Sequence, residues 1–193
     1  MRIFLVRHGQ TQSNVENRLQ GSKGVPLNQV GEKQVAEVAQ FFKNIPLTAV
    51  YSAPARRAKQ TASSIAKFHN LSVKVIRGFR ERSHGKLEGK TEEQRKKLIP
   101  DIQKQWKHQG IDWRPPGGET LRELQQRAIK AFNQIIKKHK LNDTILVASH
   151  GGTIKAVVHY VHGGKLEDYL HAKPIENTQI IEIEYDGNKA RIA

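Results

Sequence analysis

Arg2-Ile3-Phe4-Leu5-Val6-Arg7-His8-Gly9 decides how the rest of the chain is read. A short apolar run with β-branched members, set between arginines and stopped at His8-Gly9, is the pattern of a strand buried on both faces. Residues 47–51 (LTAVY), 71–76 (LSVKVI), 144–149 (TILVAS) and 178–185 (TQIIEIEY) look similar. The last of these alternates more clearly and suits an edge or antiparallel strand. Between the runs the period changes. Val35, Val38, Ala39 and Phe42 fall at i, i+3, i+4 and i+7, one apolar stripe on a helix starting near Gly31. Leu121, Leu124, Ala128, Phe132, Ile135 and Ile136 repeat the stripe behind a capping box, Thr120-Leu121-Arg122-Glu123. Thr91 and Gln94 offer a second box, opening a polar helix through about His108. Strand and helix alternate, so the fold class expected is α/β, a mainly parallel central sheet flanked by helices. Residues 86–118 are polar, end in Arg114-Pro115-Pro116-Gly117-Gly118, and read as a helical insertion on that sheet rather than a separate domain.

The composition fits one domain over residues 1–193. Of these residues 37% are hydrophobic and 26% charged, enough chain to bury a core without disulfides or a structural metal. There is no cysteine, which excludes disulfide frameworks, cysteine-zinc sites and thiol catalysis. The apolar run at the N-terminus is too short for a signal peptide, and no stretch reaches the ~18 apolar residues of a membrane span. A cytoplasmic protein with no membrane partner is therefore expected. Thirty-three Lys+Arg against eighteen Asp+Glu give a net charge of +15. That charge admits a nucleic-acid surface, an anionic small-molecule substrate or a solubility feature. The cations are spread among acids, and aromatic residues for stacking bases make up 6% of the chain, not interleaved with the basic runs. Nucleic acid is the weaker reading. Oligomeric state is left open, a homodimer included.

In open α/β sheets ligands gather outside the carboxyl ends of the strands. Four such ends carry distinctive residues: Arg7-His8-Gly9; Ser52-Ala53-Pro54-Ala55 leading to Arg56-Arg57; Glu81; and His150-Gly151-Gly152. Two histidines, an arginine pair and one carboxylate would converge on one crevice. These residues also carry a resemblance. Arg7-His8-Gly9-Gln10-Thr11 with Asn14 resembles the RHG signature of the histidine phosphatase superfamily, which includes the cofactor-dependent phosphoglycerate mutases. Leu19-Gln20-Gly21, Pro26 to Gly31, Tyr51-Ser52 through Arg57 to Ala62, Phe79-Arg80-Glu81-Arg82, Pro116 to Thr120 and Val147 to Gly152 resemble the family's later motifs, in order. Gly24 stands where many members carry an aspartate, and Ala53 replaces a common serine.

The resemblance implies a phosphoryl-transfer site, and the residue chemistry agrees with it. Neutral imidazole, with a free pKa near 6.5, is a competent nucleophile toward phosphorus, so His8 is the expected nucleophile. Gly9 is expected to let the backbone turn the ring toward the ligand. Arg7, Arg57 and His150 would form a cationic cage for the three equatorial oxygens of a phosphoryl group in flight. Adjacent side chains on a helix diverge by about 100°, so one of Arg56 and Arg57 should face solvent, and the motif selects Arg57 for the site. Glu81 is the expected general acid. Asn14, Gln20, Gly21 and Gly151 complete the substrate-binding set, with Asn14 a hydrogen-bond donor and Gly151 opening a helix whose amides favour an anion. Ser149 in Val147-Ala148-Ser149-His150-Gly151 lacks the first glycine of a serine-hydrolase elbow. No metal or cofactor is expected, since no spacing of histidines and carboxylates suggests a metal site. The resemblance therefore implies a metal-independent phosphatase for small anionic phosphate esters. A phosphoglycerate mutase is the first alternative, disfavoured by the short chain and by the acid segment Arg80-Glu81-Arg82-Ser83-His84-Gly85. A nucleic-acid or protein-interaction module on the same fold is the second.

Overall fold

The computed structural model describes residues 1–193. Its elements are β1 (Arg2–Arg7), α1 (Gln12–Val15), α2 (Gln29–Phe42), β2 (Ala49–Ser52), α3 (Arg56–Ala66), β3 (Val73–Val75), α4 (Glu92–Leu98), α5 (Ile102–Gln109), α6 (Leu121–Lys138), β4 (Thr144–Ser149), α7 (Gly151–His162), β5 (Ile180–Tyr185) and β6 (Ala190–Ile192). The six strands form one sheet in the order β3-β2-β4-β1-β5-β6. β1, β2, β3 and β4 pair in parallel, while β5 and β6 are antiparallel to their neighbours.

The continuous apolar run of β1 follows from its central place. Successive side chains point to opposite faces, and both faces are covered. Ile3 and Leu5 pack with Phe79, Phe132, Ile135, Ile154 and Val157, the layer of α6 and α7. Phe4 and Val6 pack with Ala39, Phe42, Ala62 and Ile65, the layer of α2 and α3. The order β2-β4-β1 brings three carboxyl ends side by side, and the backbone N–H of His8 donates to the Ser149 carbonyl at 3.0 Å, tying two of them together.

Two expectations need correction, and a third is met only in its antiparallel form. The polar helix beginning after Thr91 does not run unbroken to His108: it stops at Leu98 and resumes at Ile102. Pro100 is the cause, because a proline disfavours the helical region at the residue before it, and Ile99 is extended at φ −134°, ψ 90°. Residues 178–185 do form an antiparallel strand, but it begins at Ile180 and is not the edge. The three-residue β6, too short to stand out as a pattern, covers it. Gly9 has no positive φ, so conformational freedom is not its role. A Cβ there would lie 2.6 Å from the Gly31 carbonyl oxygen and 2.8 Å from Val35, so β1 could not run on past α2 this closely with a larger residue.

Both capping boxes form as expected: Thr91 with Gln94, and Thr120 with Glu123. No helix is long and apolar enough to cross a membrane.

Candidate active site

His8 sits immediately past β1 and is buried. Its Nδ1 lies 2.7 Å from the Gly9 carbonyl oxygen, which can only accept, so the proton belongs on Nδ1 and the lone pair on Nε2. Nε2 accepts a hydrogen bond from Arg57 Nε at 3.1 Å. Burial, reinforced by the positive charges of Arg57 and Arg7, holds His8 well below its ordinary pKa. The ring is thus neutral with a directed lone pair, which is the state a nitrogen nucleophile needs.

Arg57 lies in the first turn of α3 and is 1% exposed, while the adjacent Arg56 faces solvent. Besides holding His8, Arg57 donates from Nη1 to the Lys23 carbonyl at 2.6 Å and from Nη2 to the Gly21 carbonyl at 2.9 Å. Burial lowers its pKa to about 10, which still leaves it charged at neutral pH. Gly21 therefore enters the site through its carbonyl, as a fastening for the arginine. Arg7 donates from Nη1 to the Ile175 carbonyl. The backbone of Gly151 packs against Arg7, since a Cβ there would meet Arg7 Cδ and Nε at 3.5 Å.

His150 occupies the N-cap position of α7 without a side-chain capping bond, and its ring centroid lies 5.2 Å from that of His8. It corrects the picture of an all-cationic cage. Burial, then Arg57, His8 and Arg7, push its pKa well below the usual value, so it stands in the cage as a neutral donor beside two arginines. Neither of its ring nitrogens has a partner, and the same is true of Arg7 Nε and Gln20 Oε1, all four being buried. Leaving a buried polar atom unpaired costs about 1–3 kcal/mol, so the unpaired Arg7 Nε and His150 ring beside His8 are where a ligand's acceptor oxygens would be held, whereas Gln20 Oε1 could only accept.

Glu81 reaches this place from the turn after β3. Its Oε1 accepts from the Arg82 backbone N–H at 2.8 Å, and its Oε2 from the Gly152 N–H in the first turn of α7 at 3.1 Å. One of the α7 amides, that of Gly152, is thus engaged by Glu81, and the expectation for Gly151 is untouched by it. Thr153 Oγ1 has one proton and lies nearer the Arg80 carbonyl (2.8 Å) than Glu81 Oε1 (3.3 Å). Its oxygen is then free to accept from Glu81 when the carboxyl carries a proton. Asn14 is spoken for locally: its Oδ1 accepts from the Thr11 backbone N–H at 3.0 Å in a capping box of α1, leaving only the amide nitrogen for a ligand. Ser149, buried, donates its hydroxyl to the Phe79 carbonyl at 2.8 Å and is a structural tie.

Several residues of this region were not singled out by the sequence. Arg127 of α6 spends its whole guanidinium on the loop that carries Glu81, donating to the carbonyls of Gly78 (2.8 Å), Arg80 (2.7 Å) and Glu81 (3.0 Å), and to the buried carboxylate of Glu119 from Nε (2.8 Å). Its one sequence signal is an arginine on the flank of an apolar stripe, three residues after Leu124. Asn177 donates to the His8 carbonyl at 2.9 Å, and Thr61 receives the Gly9 N–H at 3.3 Å. Neither has a local pattern that would reveal it.

The likeness to known proteins agrees with this geometry. The chain is 32% identical over 190 residues to an uncharacterized phosphatase PhoE of Bacillus subtilis, covering 98% of this chain and 91% of the relative. It is 30% identical to a 2,3-bisphosphoglycerate-dependent phosphoglycerate mutase 2 of Gloeobacter violaceus, over 95% of this chain and 81% of that one. The solved structure of Bacillus stearothermophilus YhfR superposes with a TM-score of 0.91 at 28% identity, covering 100% of this chain and 95% of the other. A model of the histidine phosphatase superfamily (branch 1) matches residues 3–193. With strand ends, cage and whole-length likeness in agreement, the chain belongs to branch 1 of the histidine phosphatase superfamily.

Proposed function

We propose that the chain, working as one domain over residues 1–193, is a metal-independent phosphatase of the histidine acid phosphatase type for small phosphate monoesters. The observation that carries this reading is the set of buried, partnerless polar atoms on Arg7 and His150 beside a neutral His8. A phosphoryl group supplies the acceptor oxygens that those donors lack.

In the first step His8 Nε2 attacks phosphorus, the N–P bond forms and the P–O bond to the leaving group breaks. Glu81 gives its proton to the departing oxygen. Arg7 and Arg57 stabilise the charge on the transferring oxygens, and fixed donors of this kind are worth several kcal/mol of barrier in a preorganised site. In the second step water attacks the phosphohistidine, Glu81 takes the water's proton, and His8 and inorganic phosphate are released. Arg57 Nε must leave the Nε2 lone pair for the first step to begin, and an arriving phosphate oxygen offers it a better acceptor.

The mutase reading is favoured by one observation, the likeness to the Gloeobacter violaceus enzyme, and it uses the same first step. The two separate in the acceptor of the second: water in one, a substrate hydroxyl in the other. The test is release of inorganic phosphate from a panel of monoesters in the presence of a chelator, with isomerisation of phosphoglycerate assayed on the same preparation. Metal-independent hydrolysis faster than isomerisation supports the phosphatase. Isomerisation exceeding hydrolysis on the same substrate overturns it.

A further inference from the structure

Glu81 also lines a second cavity, of about 290 Å³. Its apolar wall is Trp106 of α5, Leu121, Leu170 and the ring of Tyr169; its polar members include Lys155 of α7 and His84. The volume lies just under the ~300–1,000 Å³ of pockets that enclose a drug-sized ligand, so it suits a single ring or a short apolar branch. The Tyr169 hydroxyl donates to the Gly152 carbonyl at 3.2 Å, which fixes that ring beside the amide holding Glu81.

The charges of the cavity are unbalanced. The ammonium of Lys155 lies 4.1 Å from the centroid of the Tyr169 ring and makes one hydrogen bond, to the Ala172 carbonyl at 3.2 Å, which leaves donors to spare. Arg82 is tied to the carbonyls of Glu119 and Trp113, both at 2.9 Å. His84 is neutral, its pKa lowered to about 3 by burial and by Arg82 and Arg95. Glu81, the only carboxylate in the wall, has both oxygens occupied by backbone amides. Lys155 makes no ion pair with it, so the ammonium faces the cavity without a salt-bridge partner. A half-buried ammonium in that position favours an anionic occupant.

We propose that this cavity is the leaving-group site, and that it selects phosphate monoesters whose alcohol or phenol joins one small ring or apolar branch to a carboxylate, with the carboxylate meeting Lys155. The inference rests on the reading of Glu81 as the group that protonates the departing oxygen. Trp106, Leu121 and Leu170 take the apolar body, and Lys155 reads the acid.

The test compares kcat/KM for ethyl phosphate, phenyl phosphate, and 3- and 4-carboxyphenyl phosphate in the unaltered protein, in Lys155→Gln and in Trp106→Ala. The unaltered protein should prefer one carboxyphenyl ester to phenyl phosphate by tenfold or more. Lys155→Gln should shrink that ratio about tenfold, and because the same two esters are compared, their intrinsic leaving abilities cancel. Trp106→Ala should lower the ratio of phenyl to ethyl phosphate severalfold. Hydrolysis of phenyl phosphate with a carboxyphenyl ratio untouched by Lys155→Gln overturns the cavity assignment alone. No hydrolysis of any ester overturns the phosphatase reading and this inference with it.

Discussion

The two sides of the site are built in opposite ways. On the His8 side every working group stands at the end of a strand or in the first turn of the helix that follows: Arg7 and His8 after β1, Arg57 in α3, His150 before α7. The parallel ladder of β2, β4 and β1 sets their spacing, and backbone carbonyls hold the side chains of Arg7, His8 and Arg57. On the Glu81 side only the Gly152 amide and Thr153, in the first turn of α7, come from the end of a central strand. Glu81 hangs on a turn, held by Arg127 from α6 and by amides of Arg82 and Gly152, and the cavity next to it is closed by α5 and by Tyr169 from far along the chain. On the proposed mechanism the sheet would dictate where phosphorus sits, and tertiary contacts between loops would dictate what may leave. Changes on the first side should abolish transfer for all substrates, and changes on the second should depend on the leaving group.

The sharpest test of that division is Glu81→Gln. Glutamine keeps the shape and removes the proton, and a positioned acid is worth roughly 10²–10⁴ in rate. Phosphoenzyme formation should slow by that range for an alkyl phosphate and far less for p-nitrophenyl phosphate, whose phenolate departs unaided. Equal slowing of both esters would deprive Glu81 of its role as acid. Arg57→Ala comes next and should show the opposite behaviour: a loss of roughly 10²–10³, from one fewer fixed donor to the transferring group, alike for both esters. Arg56→Ala, on an exposed side chain, should change kcat/KM by much less. Comparable losses from the two arginines would break the assignment of the His8 side.

Arg127→Lys probes the fastening of the acid. Lysine keeps the charge but cannot bridge three carbonyls and a carboxylate in one plane. We expect kcat on an alkyl phosphate to fall about tenfold with little change on p-nitrophenyl phosphate. A merely destabilising effect would lower both alike.

The smallest effect is on stability. His8 and His150 are buried and His84 is half-buried, and all three are neutral, with pKa values held below the ordinary 6.5 of an unfolded chain. Below pH 6.5 the unfolded chain therefore binds protons that the folded one refuses. The stability these histidines contribute is complete above that pH and declines as pH falls, by up to about 1.4 kcal/mol per unit for each. Tm should drop between pH 7 and pH 5, and His84→Asn should reduce the drop by removing the member on the acid side. A Tm flat over that interval would contradict neutral burial on both sides.

The same contrast explains what could be read from the chain. The convergence of Arg7, His8, Arg57 and His150 was legible because a buried parallel strand has a recognisable pattern, and its C-terminal residue is then placed by topology alone. The choice of Arg57 over Arg56 needed only helix geometry together with the motif. The other side resisted because Arg127, Lys155 and Tyr169 act across sequence separations that no local period reports, as Asn177 does on the His8 side. The break in the polar helix is written in Pro100 itself, which overrides the helix that the capping box at Thr91 starts. Asn14 keeps its amide nitrogen free for the donor role expected of it, while its oxygen serves the turn that follows β1.

The central claim is that His8 Nε2 takes the phosphoryl group, and trapping the phosphoenzyme tests it most directly. Substrate labelled on phosphorus, mixed with the protein and quenched in base, should leave label that is stable to alkali, labile to acid, located on His8, and absent from His8→Ala, which should also be inactive. Label on Ser149 or any other residue, or undiminished turnover by His8→Ala, would contradict the account.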